Sequence, residues 1–177
     1  MEELVAKRYT KALSESVGSD SLENIHTLFS ALATSFDNDK FINIMDNPDV
    51  KDSDKESILL DAVKSAKSDK INNFVKLLVE HRRVMIIPAI AEELRRTIAK
   101  NKNMYDGFIY SDTQMDESSL QGIAAGLEKK LDAKINLTFV KTDIDGIKVE
   151  VSDLGLEINF SKSRLAAQIT DHILKAI

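Results

Sequence analysis

Three histidines, His26, His81 and His172, and 29 carboxylates are the side chains from which this 177-residue chain would have to build acid–base or metal chemistry, since it contains no Cys. The missing thiol removes cysteine nucleophiles, iron–sulfur clusters, cysteine zinc sites and a disulfide framework together. A histidine metal site needs ligands converging on one face, yet none of the three has a second His four residues on. Each reads as a surface or internally satisfied His. The acidic pairs Asp52 with Asp54 and Glu92 with Glu93 lie in stretches otherwise rich in Lys and Arg, and read as solvated helix surface. Close backbone approach to a phosphate needs Gly-rich loops, and neither the Walker pattern nor GxGxxG occurs. His81-Arg82-Arg83 is a compact cationic cluster at the end of a helical stripe. It suits either the negative end of a helix dipole or an anionic partner residue. The expectation is a chain with no catalytic, cofactor-binding or metal-binding residue.

Across the whole chain, 43% apolar and 30% charged residues with six Gly and two Pro describe a soluble globular protein of one or two small domains. The net charge of -5 gives no global field for holding nucleic acid and leaves only a local basic patch open. The longest apolar run, Val84 to Ala91, is far short of the roughly 20 residues of a membrane span. The opening MEELVAKRYTKAL has neither a hydrophobic signal core nor an acidic-poor transit character, so the chain is expected to stay where it is made. Asn136-Leu137-Thr138 and Asn159-Phe160-Ser161 match the glycosylation pattern but are expected to go unused in that compartment.

Residues 1–103 carry apolar side chains at three- and four-residue spacing. Leu4, Val5, Tyr9, Leu13 and Val17 form a first stripe, and Leu22, Ile25, Phe29, Leu32 and Phe36 a second. Phe41, Ile44 and Met45 predict a short third helix stopped at Asn47-Pro48, because the residue before Pro is driven out of the helical region. Ser53-Asp54-Lys55-Glu56 has capping-box form ahead of Ile58, Leu59, Ala62, Val63 and Ala66. A fifth helix runs through Ile71, Phe74, Val75, Leu77, Leu78 and Val79, and a sixth through Ile87, Ile90, Ala91, Leu94 and Ile98, with Pro88 tolerable in its first turn. Six short helices imply a bundle.

Beyond Met104 the period becomes two. Ile147, Val149 and Val151 alternate with polar residues, as do Leu154, Leu156, Ile158 and Phe160, after a strand from Lys134 to Lys141 and the turn signal Asp145-Gly146, which together predict a hairpin. Asp116 to Asp132 reads as a helix, and Ser163 to Ile177 as a last amphipathic one through Leu165, Ile169, Ile173 and Ile177. The expected fold is therefore mixed: an N-terminal six-helix bundle over 1–103 followed by a small α+β domain over 104–177. The charge splits between them as -1 and -4.

Two helical segments carry more than packing asks for. Gly122 and Gly126 cost a soluble helix about 1 kcal/mol each relative to Ala, which implies close approach to the neighbouring sheet or a face for a partner helix. On helix five, Leu77 and Val79 widen the apolar arc to about 200°. Such a helix is central to the bundle, or leaves part of its arc as a groove for a partner helix.

Together, Ala6-Lys7-Arg8-Tyr9-Thr10-Lys11-Ala12-Leu13, Asn47-Pro48, Asn73-Phe74-Val75-Lys76-Leu77-Leu78-Val79-Glu80-His81-Arg82-Arg83 and the run Gly146 to Leu165 resemble, in order and spacing, the delta subunit of the F-type ATP synthase, the family of the oligomycin-sensitivity-conferring protein. The family's C-terminal signature has a Gly pair, Asp-Gly-Ser and Arg-Leu; here Asp145 replaces the first Gly, Asn159-Phe160-Ser161 the triplet, and Arg164-Leu165 is kept.

The resemblance implies a non-catalytic stator subunit without a cofactor, tying the catalytic head of a proton-translocating ATP synthase to its peripheral stalk so that rotation is coupled to ATP synthesis. It implies that the bundle receives the N-terminal helix of an alpha subunit between helices one and five, with Val5, Tyr9, Ala12, Phe74, Leu77 and Leu78 as groove residues. It implies that the C-terminal domain meets the C-terminal region of subunit b, one copy per complex. The protein is then expected at the cytoplasmic face of a bacterial inner membrane, held only through the complex and with no nucleic-acid partner. The alternative is a generic two-domain protein-binding adaptor; a small carboxylate enzyme lacks an acidic cluster to support it.

Overall fold

Helical spacing and early stop signals fold the first part of the chain into six α-helices: α1 (Glu2–Val17), α2 (Leu22–Thr34), α3 (Asp39–Asp46), α4 (Asp52–Val63), α5 (Asp69–Glu80) and α6 (Ile87–Lys102). A computed structural model describes residues 2–18, 21–161 and 163, and the chain divides into two units, Met1–Asn101 and Lys102–Ile177. The core of the first unit gathers Ala6, Leu13, Phe29, Leu59, Val75, Leu78, Ile90 and Leu94, all essentially without exposed surface. Asn47 is extended, as Pro48 requires, and its Oδ1 accepts from the Asp49 N–H to start the next turn. Pro88 sits in the first turn of α6, where its missing N–H costs nothing.

Three local expectations are corrected. The capping box does not form, because α4 begins two residues earlier than it implies, at Asp52 with Lys51 in the N-cap position; Ser53 lies inside the helix, and Glu56 instead pairs with Lys76 of α5 at 3.5 Å. The buried stripe of α1 is Ala6, Thr10 and Leu13, while Leu4 is exposed. Small Ala6 and Thr10 face inward, which rotates Val5 and Tyr9 to the edge of the interface. Glu93 is buried and bonded to Arg96 at 3.0 Å rather than solvated.

The second unit is a four-stranded mixed sheet with one described helix. Its elements are β1 (Met104–Ser111), α7 (Glu117–Leu131), β2 (Lys134–Lys141), β3 (Ile147–Val151) and β4 (Leu156–Phe160), in spatial order β2-β1-β3-β4. β1 and β2 are parallel, with α7 as their crossover; β3 is antiparallel to β1, and β4 to β3. The expected hairpin around Asp145-Gly146 is thus wrong, since β2 and β3 flank β1 and never pair. The hairpin is β3–β4, turned through Ser152–Leu154 and Gly155 at φ 61°. Strand β1 escapes a hydropathy reading because both its faces mix apolar and polar residues: Tyr105, Gly107, Ile109 and Ser111 are buried, while Met104, Asp106 and Phe108 are exposed.

Gly107 marks a close approach, for a Cβ there would stand 2.9 Å from Val151 Cγ2 and 3.0 Å from the Glu150 carbonyl. Gly122 and Gly126 mark none; a Cβ at either meets nothing within 4 Å, so close packing on the sheet does not explain them. The expected helix from Ser163 to Ile177, with Arg164-Leu165 and His172, lies outside the described residues apart from Ser163.

Candidate functional site

Helices α1 and α5 run side by side, joined by ring contacts and hydrogen bonds. The ring of Tyr9 meets Phe74 edge-on, with centroids 6.1 Å apart at 71°, and Phe74 meets Phe29 of the core at 5.8 Å and 66°. Edge-to-face contacts of this kind hold a ring in one orientation. The Tyr9 hydroxyl shares a 2.9 Å hydrogen bond with His81 Nδ1. Toward the other end of α1, Lys70 Nζ donates to the Ser16 carbonyl. These contacts set the two helices antiparallel, with Tyr9 beside the C-terminal half of α5 and Ser16 beside its first turn.

The six sequence-predicted groove residues divide by exposure. Val5 and Tyr9 are half-buried and Ala12 is exposed on α1; on α5, Leu77 is 38% exposed, Phe74 8% and Leu78 0%. Tyr9 and Phe74 touch, whereas Leu78 is enclosed by the core and offers no surface. The wide apolar arc of α5 therefore serves the bundle through Ile71, Phe74, Val75, Leu78 and Val79, and what remains outside is Leu77.

Two further features involve the ends of these helices. Arg96 of α6 reaches Glu3 in the first turn of α1 at 2.7 Å, as well as Glu92 at 3.2 Å and Glu93 at 3.0 Å. Its hydrogen bond and charge hold the Glu3 carboxyl below the usual carboxylate range, and the same bond raises the Arg96 guanidinium. The C-terminus of α5 closes in a Schellman turn, in which the Arg82 N–H donates to the Val79 carbonyl at 2.9 Å and the Arg83 N–H to the Leu78 carbonyl at 2.7 Å. That turn needs a left-handed residue, and Arg82 takes φ 55° where glycine is usual. It leaves His81, Arg82 and Arg83 exposed at the end of α5.

Sequence reasoning missed the Tyr9–His81, Lys70–Ser16 and Arg96–Glu3 links, since each joins residues more than 50 positions apart. Of the isolated histidines, His81 is the one bound to Tyr9, and His26 bonds Ser30 Oγ through Nε2 at 3.1 Å. Among the described residues no group of three or more His, Asp or Glu is placed to hold a metal ion, and no helix is long and apolar enough to cross a membrane.

The fold is that of a six-helix bundle followed by a small mixed α+β unit. Comparison with known proteins gives the family. Residues 5–168 match the family described as ATP synthase delta (OSCP) subunit. The chain is 48% identical to the ATP synthase subunit delta of Sulfurimonas denitrificans, 42% to that of Nitratiruptor sp. and 38% to that of Aliarcobacter butzleri, each over 100% of both chains. Its fold is similar to a chain of the Toxoplasma gondii mitochondrial ATP synthase hexamer, at a TM-score of 0.62 and 17% identity, covering 96% of this chain and 97% of that one. The chain belongs to the ATP synthase delta (OSCP) subunit family. It is a non-catalytic subunit of that complex, and its role is that of a stator element linking the catalytic head to the peripheral stalk.

Proposed function

We propose that the groove between α1 and α5 receives the N-terminal helix of the ATP synthase alpha subunit, and that the second unit engages the C-terminal region of subunit b, with one copy of the chain per complex. In this reading residues 1–103 bind the head and 104–177 the stalk. The carrying observation is Leu77, an apolar side chain 38% exposed beside the ordered Tyr9–Phe74 wall. Val5, Tyr9, Ala12 and Leu77 line the groove, Phe74 forms its floor, and Leu78 supports that floor from within the core.

A joint that resists torque has to be tight, and nanomolar affinity corresponds to about 12 kcal/mol. One helix reaches that only where the receiving surface is preformed, so that little ordering entropy is lost on binding. Tyr9 supplies an amphipathic anchor and Leu77 an apolar one. Two units holding two partners add avidity across the chain segment between them. The protein then sits peripherally at the cytoplasmic face of the bacterial plasma membrane, attached through the complex and serving proton-driven ATP synthesis.

The test is calorimetric titration of the full chain with a synthetic peptide from the N-terminus of the matching alpha subunit. Saturable one-to-one binding, weakened at least tenfold by Leu77→Asp with an unchanged melting curve, is expected. A well-folded chain that binds no peptide overturns the groove assignment and favours the generic adaptor.

A further inference from the structure

The buried stripe of α4 begins at a lysine. Lys55, Leu59 and Val63 follow one another at four-residue spacing and are the buried residues of that helix, so Lys55 holds a place where the pattern asks for an apolar side chain. A lysine is almost never buried unless its ammonium is paired, because an uncompensated charge out of water is costly. Lys55 is 8% exposed, yet its side chain has no hydrogen-bond or ion-pair partner among the described residues.

The space around it explains where that charge goes. A cavity of about 190 Å³ lies between the turn after α3, the start of α4 and the end of α5, and Lys55 lines it. The described side-chain polar atoms that are both sealed and unpartnered are the Thr10 and Thr142 hydroxyls. The Lys55 ammonium is not one of them, so it reaches open space, and the open space its side chain lines is this cavity. Arg82, in the left-handed turn that ends α5, lines the same cavity, and its guanidinium also has no partner among the described residues. Met45, Val79 and Val84, all buried, supply apolar wall.

Asp46 and Asp52 line the cavity too, but they are exposed and make no ion pair with Lys55. They keep their water while the ammonium is stripped of most of its own, so what the interior lacks is negative charge. Asp49 and Asp54 are exposed on the same stretch of chain. Four carboxylates there repel a dianion or an acidic peptide more than a single carboxylate.

We infer that this cavity binds a small free monocarboxylate, with its carboxylate on the Lys55 ammonium and the Arg82 guanidinium and a short aliphatic stem against Met45, Val79 and Val84. Guanidinium and ammonium donors form charge-assisted bonds to a carboxylate, and the apolar wall suits the stem.

The test is titration of the full chain with sodium butanoate, followed by NMR amide shifts, with sodium chloride at matched ionic strength as the control. Saturable shifts at Lys55, Arg82 and Val84, half complete on the order of 1 mM butanoate, are expected, with no saturation in chloride. Lys55→Met keeps the stem and removes the charge. It is expected to weaken butanoate at least tenfold and to melt no lower than the unsubstituted chain, which separates loss of binding from loss of fold. Butanoate is expected to raise the melting temperature of the unsubstituted chain and not that of the variant. Shifts that stay linear in butanoate, or saturation that survives Lys55→Met, overturn the inference. A lower melting temperature for Lys55→Met also overturns it, by showing the ammonium already satisfied within the fold. Tighter binding of inorganic phosphate overturns the monocarboxylate assignment, and tighter binding of a glutamate blocked at both ends gives the cavity to an acidic side chain of a partner instead.

Discussion

Tyr9 on α1 and His81 at the end of α5, 72 positions apart in the chain, are joined hydroxyl to Nδ1 at 2.9 Å, and the same tyrosine ring rests edge-on against Phe74. The bond is exposed, so removing it by Tyr9→Phe is expected to cost no more than about 1 kcal/mol. Tyr9→Ala also loses the ring contact and is expected to cost about 1–3 kcal/mol and to weaken alpha-peptide binding beyond the Phe variant. Urea unfolding and calorimetry on the two variants separate wall from anchor; equal binding losses would show that the hydroxyl, not the ring, matters.

Leu77 and Leu78 are adjacent in sequence and opposite in environment. Leu77→Asp is expected to change stability by only about 0.5 kcal/mol, as exposed substitutions do, while abolishing peptide binding. Leu78→Ala empties a fully buried site and is expected to cost about 2–5 kcal/mol. Thermal melting of both, with peptide titration of the Leu77 variant, checks the contrast.

Glycines on α7 and β1 are expected to respond in opposite directions. Gly122→Ala and Gly126→Ala meet open space and should each stabilise the second unit by about 1 kcal/mol through helix propensity. Gly107→Ala drives a methyl into Val151, Leu137 and the Glu150 carbonyl, and should destabilise it by about 1–3 kcal/mol. Hydrogen exchange at the Ile109 amide reads this unit independently of the bundle.

Arg82 holds a left-handed conformation that costs a side-chain-bearing residue about 1–2 kcal/mol. Glycine relieves it at some cost in unfolded-state entropy, so Arg82→Gly is expected to stabilise the bundle by up to about 1 kcal/mol. Arg82→Ala removes the same charge without relieving the backbone. Equal melting temperatures for the two variants would contradict the strain.

Burial, followed by the nearby positive charge of Arg95, pushes the His26 imidazole below its ordinary pKa. Between the folded and unfolded values the unfolded chain binds more protons, so stability rises with pH there; it is lost as pH falls below about 6.5 toward the folded value. His26→Gln is expected to flatten that part of the stability–pH curve. An unchanged slope, measured by urea unfolding across this range, would place its origin elsewhere.

What the sequence determined by itself was the class of the six bundle helices, of α7 and of strands β2 to β4, with some of their stop signals, while β1 escaped it. Three- and four-residue spacing specifies helices locally, Pro48 ends α3 by a clash confined to its own neighbourhood, and Leu77 is legible as one apolar residue more than a packing face needs. The tertiary structure decided the remainder, because those choices rest on contacts between distant residues. Strand order β2-β1-β3-β4 depends on the α7 crossover placing β2 beside and parallel to β1, which no period in the sequence encodes. Helix α4 begins at Asp52 with Lys51 at the N-cap position and no side-chain cap bond, so the local Ser53–Glu56 pattern did not set its start. Which residues of α5 are core and which are exposed was likewise set by packing, which buries Val79 and leaves Leu77 outside although both widen the same apolar arc.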